Sequence, residues 1–354
     1  MSDEINFDFA DHPDISDFAL PAGAERHQVL EGFDAHYVDI VDYIVRCTHR
    51  IWEERAVGLI YTHYTSNVTM HSTLGLTYGA EAVVRGTLKR LAAFSDYRSF
   101  ADDVIWRADG QGGFYTSHRI FTVGVNTGHS DFGPPTNRRI GRWVVADCAI
   151  RENRIYEEWI ASDMGAELRQ LGYDPLTLAR SSAPLPALPA SESGQRLGQF
   201  APTLLDIPAA DNPEGFVRAL LHNIFNARMI NLVREHFAVG MVAWVPGGRT
   251  LYGHGDYEGY VLGLLAQFPD LSLTIDHVAV LGDSSRGWRV ATRWTLRGTH
   301  EGPGAYGPVS GRPMRLLGMT HTWLRGGQVV REWTVFDEYA LLRQLHAPIA
   351  EAGS

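Results

Sequence analysis

From Phe33 onward the chain alternates apolar and polar residues at helical spacing. Tyr37, Ile40, Val41, Ile44, Val45, Thr48 and Ile51-Trp52 fall on one face, and Glu53-Glu54-Arg55 forms a solvated end. Spacings of three and four predict an amphipathic helix. A short helix over Val57–Tyr64 follows, then an alternating strand at Val68–Ser72. The next helical pattern, Gly79 to Phe94, places Val83-Val84, Leu88 and Leu91 on its buried side. Stretches rich in Val, Ile, Trp, Phe and Tyr predict strands over Ser99–Arg107, Gly113–Val125, Arg139–Arg151 and Arg154–Ala161. Asp109-Gly110 and Glu152-Asn153 supply hairpin turns, because Asp, Asn and Gly tolerate turn geometry. A closing helix covers 163–171.

The same series occurs a second time. Glu158-Trp159, Asp163 and Leu168-Arg169-Gln170-Leu171 recur as Glu332-Trp333, Asp337 and Leu342-Arg343-Gln344-Leu345, 174 residues later. Tyr78-Gly79, Phe94, Asp102, Arg119 and Gly133-Pro134 recur at the same offset. A period this long marks duplicated domains, since solenoid units run to roughly 20–50 residues. The expected organisation is a tail over 1–30, a first domain over 31–173, a Pro/Ser-rich linker over 174–212 and a second domain over 213–347. In the second copy, helices are expected near Glu214–Met229, Ile230–Phe237, Asp256–Phe268 and Glu338–Leu345. Strands are expected at Met241–Val245, Ser272–Leu281, Gly287–Thr299, Met314–Arg325 and Gln328–Phe336. Helices first and an antiparallel meander afterwards is an α+β pattern. It predicts two copies of a cone-shaped curved antiparallel sheet wrapped around N-terminal helices, each with a cavity at its open end.

Composition narrows the function. A net charge of −10 argues against nucleic acid, which needs a basic patch. No apolar run reaches the roughly 18 residues of a membrane span. Cys47 and Cys148 are the only cysteines, too few for a disulfide framework, so the expected compartment is the cytoplasm. Fifteen histidines are scattered without zinc spacing, so no metal is expected. No dinucleotide fingerprint or nucleophile elbow occurs, and no cofactor is expected.

The second copy resembles a SnoaL-like polyketide cyclase domain of the nuclear transport factor 2-like superfamily. The matching parts are Phe268-Pro269-Asp270, Arg293-Trp294, Arg297-Gly298-Thr299-His300, Gly311-Arg312-Pro313, Gly326-Gly327-Gln328-Val329 and Glu332-Trp333 through Leu345. The first copy is a more diverged match, through Phe94-Ser95-Asp96, Pro134-Pro135-Thr136-Asn137-Arg138, Arg154-Ile155 and Glu158-Trp159. The resemblance implies a small-molecule ligand, an intramolecular pseudo-dimer of the two copies and a possible further homodimer. It also implies acid/base chemistry on an apolar carbonyl or polyketide-like compound: cyclisation, isomerisation or dehydration. The alternative is a binding or assembly module without catalysis. Where characterised cyclases carry an acid/base aspartate just after the Glu/His-Trp step, this chain has Ile160 and Thr334.

The acid/base role then falls to other residues. Asp147 and His321 occupy equivalent places on the third strand, and both residue types exchange protons. Either they serve as the acid/base pair or they are satisfied core groups. Glu158 and Glu332 share a strand face with Ile160 and Thr334, two residues on. Each is a base if that face lines the cavity, or a structural carboxylate holding Arg119 or Arg293. His71, His118, Arg119, Arg293, Tyr78 and Tyr252 complete the set as candidate substrate contacts.

Overall fold

A computed structural model of the chain describes residues 28–189 and 203–350. The expected tail lies almost wholly outside them, as does the middle of the expected linker. Two compact units are present. Among the described residues, one comprises 28–71, 76–137 and 145–160; the other comprises 72–75, 138–144, 161–189 and 203–350.

In the first copy, α1 (Ile40–Trp52) is capped by Asp39, whose carboxylate accepts from the Asp42 N–H. A 3-10 turn and the short α2 (Ile60–His63) lead into β1 (Tyr64–Ser72). Then come β2 (Gly75–Tyr78), α3 (Ala80–Ala93), β3 (Arg98–Ala108), β4 (Phe114–Val125), β5 (Arg139–Arg151), β6 (Arg154–Ser162) and α4 (Met164–Leu171). The strands form one six-stranded sheet, ordered β2-β1-β6-β5-β4-β3. Helix α1 packs on β3 and β4. The core between them holds Tyr43, Ile44, Val68, Val104, Ala146, Cys148, Ile150 and Ile155.

The expected linker contains a helix, α5 (Pro175–Ser181), with Asp174 as its cap and Pro175 opening it. The second copy then repeats the plan: α6 (Pro213–Phe225), α7 (Leu232–His236), β7 (Phe237–Val245), β8 (Arg249–Tyr252), α8 (Gly253–Gln267), β9 (Ser272–Asp283), β10 (Gly287–Thr299), β11 (Pro313–Arg325), β12 (Gln328–Phe336) and α9 (Glu338–His346). Its sheet order, β8-β7-β12-β11-β10-β9, matches the first. Helix α6 packs on β9 and β10 over a core of Leu220, Ile224, Leu273, Leu296, Leu316 and Phe336.

The α+β class and the helix-backed sheets agree with the sequence pattern. One join departs from the antiparallel meander. β1 pairs with β6 in parallel, and β7 with β12 likewise, so both sheets are mixed. The physical cause is connectivity. A long stretch containing a helix separates each parallel pair, and such crossovers permit parallel pairing where a tight hairpin cannot. The β5–β6 turn is Glu152-Asn153, both at positive φ (48° and 67°), and its counterpart is Gly326-Gly327 (57° and 79°). Such paired positive φ values are what a two-residue hairpin requires. Asp163 and Asp337 cap α4 and α9, accepting from Ala166 N–H and Ala340 N–H. Leu88, expected on the buried side of α3, is exposed; the covered face of that helix carries Ala80, Thr87 and Leu91.

Candidate active site

Strand pairing decides which side chains share a face, since directly opposed residues point the same way and the face alternates along each strand. In the second copy Thr334 lies opposite Thr320, and Thr320 opposite Thr292. Glu332 lies opposite Thr322, and Trp294 opposite Gly318. All these residues share one face. It fronts a cavity whose apolar wall is Leu221, Phe225, Leu264, Leu273, Leu296 and Phe336, and whose polar side is Tyr257, Tyr260, Trp294, Thr320, Glu332 and Thr334. The space open to the centre of a water molecule is about 20 Å³, room for roughly one water.

A directed hydrogen-bond chain converges on Glu332. Trp294 Nε1–H, which can only donate, reaches Thr320 Oγ1 at 3.0 Å. Thr320 Oγ1 lies 2.9 Å from Thr334 Oγ1, and Thr334 donates to Glu332 Oε1 at 3.0 Å. From helix α8, the Tyr257 hydroxyl donates to the same oxygen at 2.9 Å. Oε1 therefore accepts hydrogen bonds from two hydroxyls. Oε2 accepts from no described residue and, unlike Glu158 Oε2, is not sealed within the protein. Burial lifts the Glu332 carboxyl to about 7, and the hydroxyls of Tyr257 and Thr334 pull against that rise. Burial and the neighbouring Glu332 both push the Tyr257 phenol well above its usual range, so it stays a donor. Tyr260 lines the cavity, and its hydroxyl bonds to no described residue.

The first copy places Glu158 in the corresponding position. Val104, a core residue, lies opposite His118, so His118 faces the core; Asp103 lies opposite Arg119, on the other face. Glu158 is buried, raised to about 7 by burial, and hydrogen-bonded to the Tyr64 hydroxyl, which opposes the rise. Cys47 is pushed up to about 12 by burial and then by the Glu158 charge. Cys148 is raised for the same two reasons. These thiols stay protonated and are poor nucleophiles. Burial drives His118 down to about 3 against a small opposing pull from Asp103, so its ring is neutral near pH 7.

Residues 216–345 match the family model of the SnoaL-like polyketide cyclases. The second copy is a SnoaL-like domain. The first copy repeats its strand order and its Glu-Trp step, so the chain is a tandem of this fold. Among solved structures, the chain is similar to a proposed SnoaL-like polyketide cyclase from Jannaschia sp. CCS1. The two are 20% identical over 43% of this chain and 99% of that one, with a TM-score of 0.34. It is also similar to IdmH, a proposed polyketide cyclase from Streptomyces antibioticus. There the identity is 28% over 38% of this chain and 98% of that one, with a TM-score of 0.33. No curated protein sequence matches the chain.

Within the SnoaL-like domain, Glu332 is the sequence candidate that reaches the cavity, and Glu158 is its inward counterpart. His321 does not reach it. It lies opposite Trp333 and Ala291, on the other face of the sheet from Glu332. Asp147 shares that fate in the first copy: its partner Ser117 alternates with His118, so Asp147 points away from the core and burial alone lifts it to about 7. Arg119 is not held by Glu158. Its Nε donates to Asp102 Oδ2 at 2.6 Å, on the far face. Arg293 lies opposite Met319, again away from the cavity. His71 stacks on Trp159 (centroids 4.8 Å apart, 11° between planes) and meets Glu157 at 2.8 Å. Trp244 and Trp333 form the equivalent stack. Tyr78 and Tyr252 are exposed at strand ends, not in the cavity.

Sequence reasoning missed Tyr64, Tyr257, Tyr260, Thr320 and the donor role of Thr334. Tyr257 and Tyr260 sit three apart with Val261 and Leu264, so hydroxyls within an apolar helical stripe were the available signal. Among the described residues, no cluster of three or more His, Cys, Asp or Glu side chains is placed to hold a metal ion. Nor is any helix there long and apolar enough to cross a membrane.

Proposed function

We propose that the second copy catalyses proton transfer at the carbon next to a carbonyl in an apolar, polyketide-like compound, with Glu332 as the base. The observation that carries this reading is the asymmetry of its carboxylate. One oxygen is fixed by two hydroxyls, and the other lies open in a cavity with an apolar wall. Glu332 Oε2 takes the proton. The C–H electron pair moves into the new carbon–carbon double bond, and the carbonyl oxygen becomes an enolate. Tyr260 is the donor placed to stabilise that oxyanion. The Glu332 acid then returns the proton: to another carbon in an isomerisation, to a departing hydroxyl in a dehydration, or to the alkoxide formed when the enolate adds to a second carbonyl in a cyclisation. Tyr257, Thr334, Thr320 and Trp294 are positioning residues that hold Oε1 and leave Oε2 as the working atom. A carboxyl near 7 matches this task, because a base works best with a pKa close to the operating pH.

The small cavity supports a second reading, a binding module that closes on its ligand without turnover. Hydrogen exchange at the activated methylene of 2-tetralone in heavy water separates the two. Wild type is expected to accelerate exchange, and Glu332→Gln to lose roughly a hundredfold or more of that acceleration. Tyr260→Phe should lose a smaller share. Binding of the ketone without exchange in wild type would favour the module, and full exchange in Glu332→Gln would remove Glu332 from the chemistry.

A further inference from the structure

The closing helices α4 and α9 are equivalent, and each carries Arg-Gln in its last turn: Arg169-Gln170 and Arg343-Gln344. The glutamines act alike. Gln170 bonds both the N–H and the carbonyl of Gly141, and Gln344 bonds those of Arg315, 174 residues on. The arginines differ. Arg169 Nη1 donates to Glu338 Oε2 at 2.9 Å, so a buried carboxylate matches its charge. At the 174-residue offset the counterpart of Glu338 is Met164, which carries no charge. Arg343 instead donates Nε to Ser182 Oγ and Nη2 to the Ala183 carbonyl, both at 3.1 Å. It meets no carboxylate among the described residues. The duplication has kept the cation and dropped the anion.

Arg343 borders a pocket whose lining residues all belong to the second compact unit. The space open to the centre of a water molecule is about 190 Å³, against about 20 Å³ beside Glu332. That is room for roughly a dozen waters. Leu74, Leu185, Leu188, Pro313, Pro348 and Ile349 make the walls apolar. The walls are tied together by the backbone. Leu185 N–H donates to the Pro348 carbonyl, and Ala350 N–H to the Leu185 carbonyl. Gln344 Nε2 holds the β1–β2 turn at the Thr73 carbonyl. A second cation, Arg312, lines the same pocket. Its Nη1 donates to the Ala347 carbonyl at 2.6 Å, and it too meets no carboxylate among the described residues. Both guanidiniums are half-buried and held by neutral acceptors. Each keeps N–H groups unengaged, since an arginine has five and only one or two are used here.

We infer that this pocket binds a small amphipathic monocarboxylate, its apolar chain of about seven carbons along the leucines and prolines and its carboxylate on Arg343 and Arg312. The planar fork of a guanidinium matches a carboxylate through two parallel N–H···O bonds. The pocket shares no lining residue with the Glu332 cavity. This inference does not depend on catalysis there.

Calorimetric titration of the full chain with octanoate tests it. Wild type is expected to bind octanoate at one site, and to bind the neutral octanamide about tenfold or more weakly. Arg343→Gln should lower octanoate affinity about tenfold or more, the range for losing a hydrogen bond between charged groups. Leu74→Glu should do the same, by setting a carboxylate of the chain's own at the pocket. Leu74 is 42% exposed, so this substitution spares the core and guards against a folding artefact. Glu332→Gln should bind octanoate as wild type does. The inference is overturned if octanoate does not bind the full chain or if octanamide binds equally well. It is also overturned if Arg343→Gln and Leu74→Glu both bind like wild type, or if Glu332→Gln abolishes binding. Failure of the Glu332 reading would show separately, as unaltered ketone exchange in Glu332→Gln.

Discussion

Glu332 is costly to keep as an ion, and that cost gives the residue a measurable signature. The gap between its ordinary 4.5 and about 7 corresponds to about 3 kcal/mol. Between these two values the folded chain holds a proton that the unfolded chain has released. Stability from this group is therefore full below pH 4.5, is lost as pH rises towards 7, and stays lost above. Glu332→Gln keeps an oxygen for Tyr257 and Thr334 but carries no charge. It should melt higher than wild type at pH 8, and the gain should vanish below pH 4.5. A variant that is both more stable and inactive is the pattern expected where function retains a destabilising group. Tyr257→Phe acts oppositely on the titration. It removes a donor that favours the ionised form, so the rising limb of the ketone-exchange rate should move above pH 7. An unmoved limb would show that Tyr257 does not set the carboxyl.

Strands and helices carry these side chains, and their pairing decides what each can reach. Trp294 crosses the face of β11 at Gly318, where an added Cβ would overlap the indole ring. Gly318→Ala should displace Trp294, break its bond to Thr320 and destabilise the fold by about 1–3 kcal/mol; denaturant melts and tryptophan fluorescence would register both effects. Most elements were legible from periodicity, because the apolar faces of the helices and the long β3–β6 and β9–β12 strands repeat over many residues. β2 and β8 were not, since four residues give too little alternation to recognise. The inward glutamates were legible through the repeated Glu-Trp step. His321 and Asp147 were misplaced because a polar residue in an apolar strand looks interior from either face. Only the register, which sets His321 opposite Trp333, shows which face it occupies. The tyrosine donors escaped notice because they do not recur at the 174-residue offset.

Across the whole chain, two sets of buried groups bias stability in opposite directions with pH. Asp147, Glu158, Glu332 and Asp337 are all raised to about 7 by burial. Each favours the folded state at the acid end of the interval between its ordinary value and 7. His63, His118, His300 and His346 are lowered by burial. The unfolded chain binds protons at these rings first, so their contribution is lost as pH falls below about 6.5. Replacing His300 and His346 with Asn removes part of this opposing contribution, so stability should fall more steeply as pH rises from 5 to 7, which thermal melts across that range would detect. The SnoaL-like domain presents one buried carboxylate, Glu332, that faces its cavity and is raised by burial to about 7. Carbon-13 NMR of chain labelled at the glutamate side-chain carboxyls tests it most directly, with Glu332→Gln supplying the assignment. The expected result is a resonance that titrates near pH 7 in wild type and disappears in the variant. A Glu332 resonance titrating near 4.5 would contradict the account.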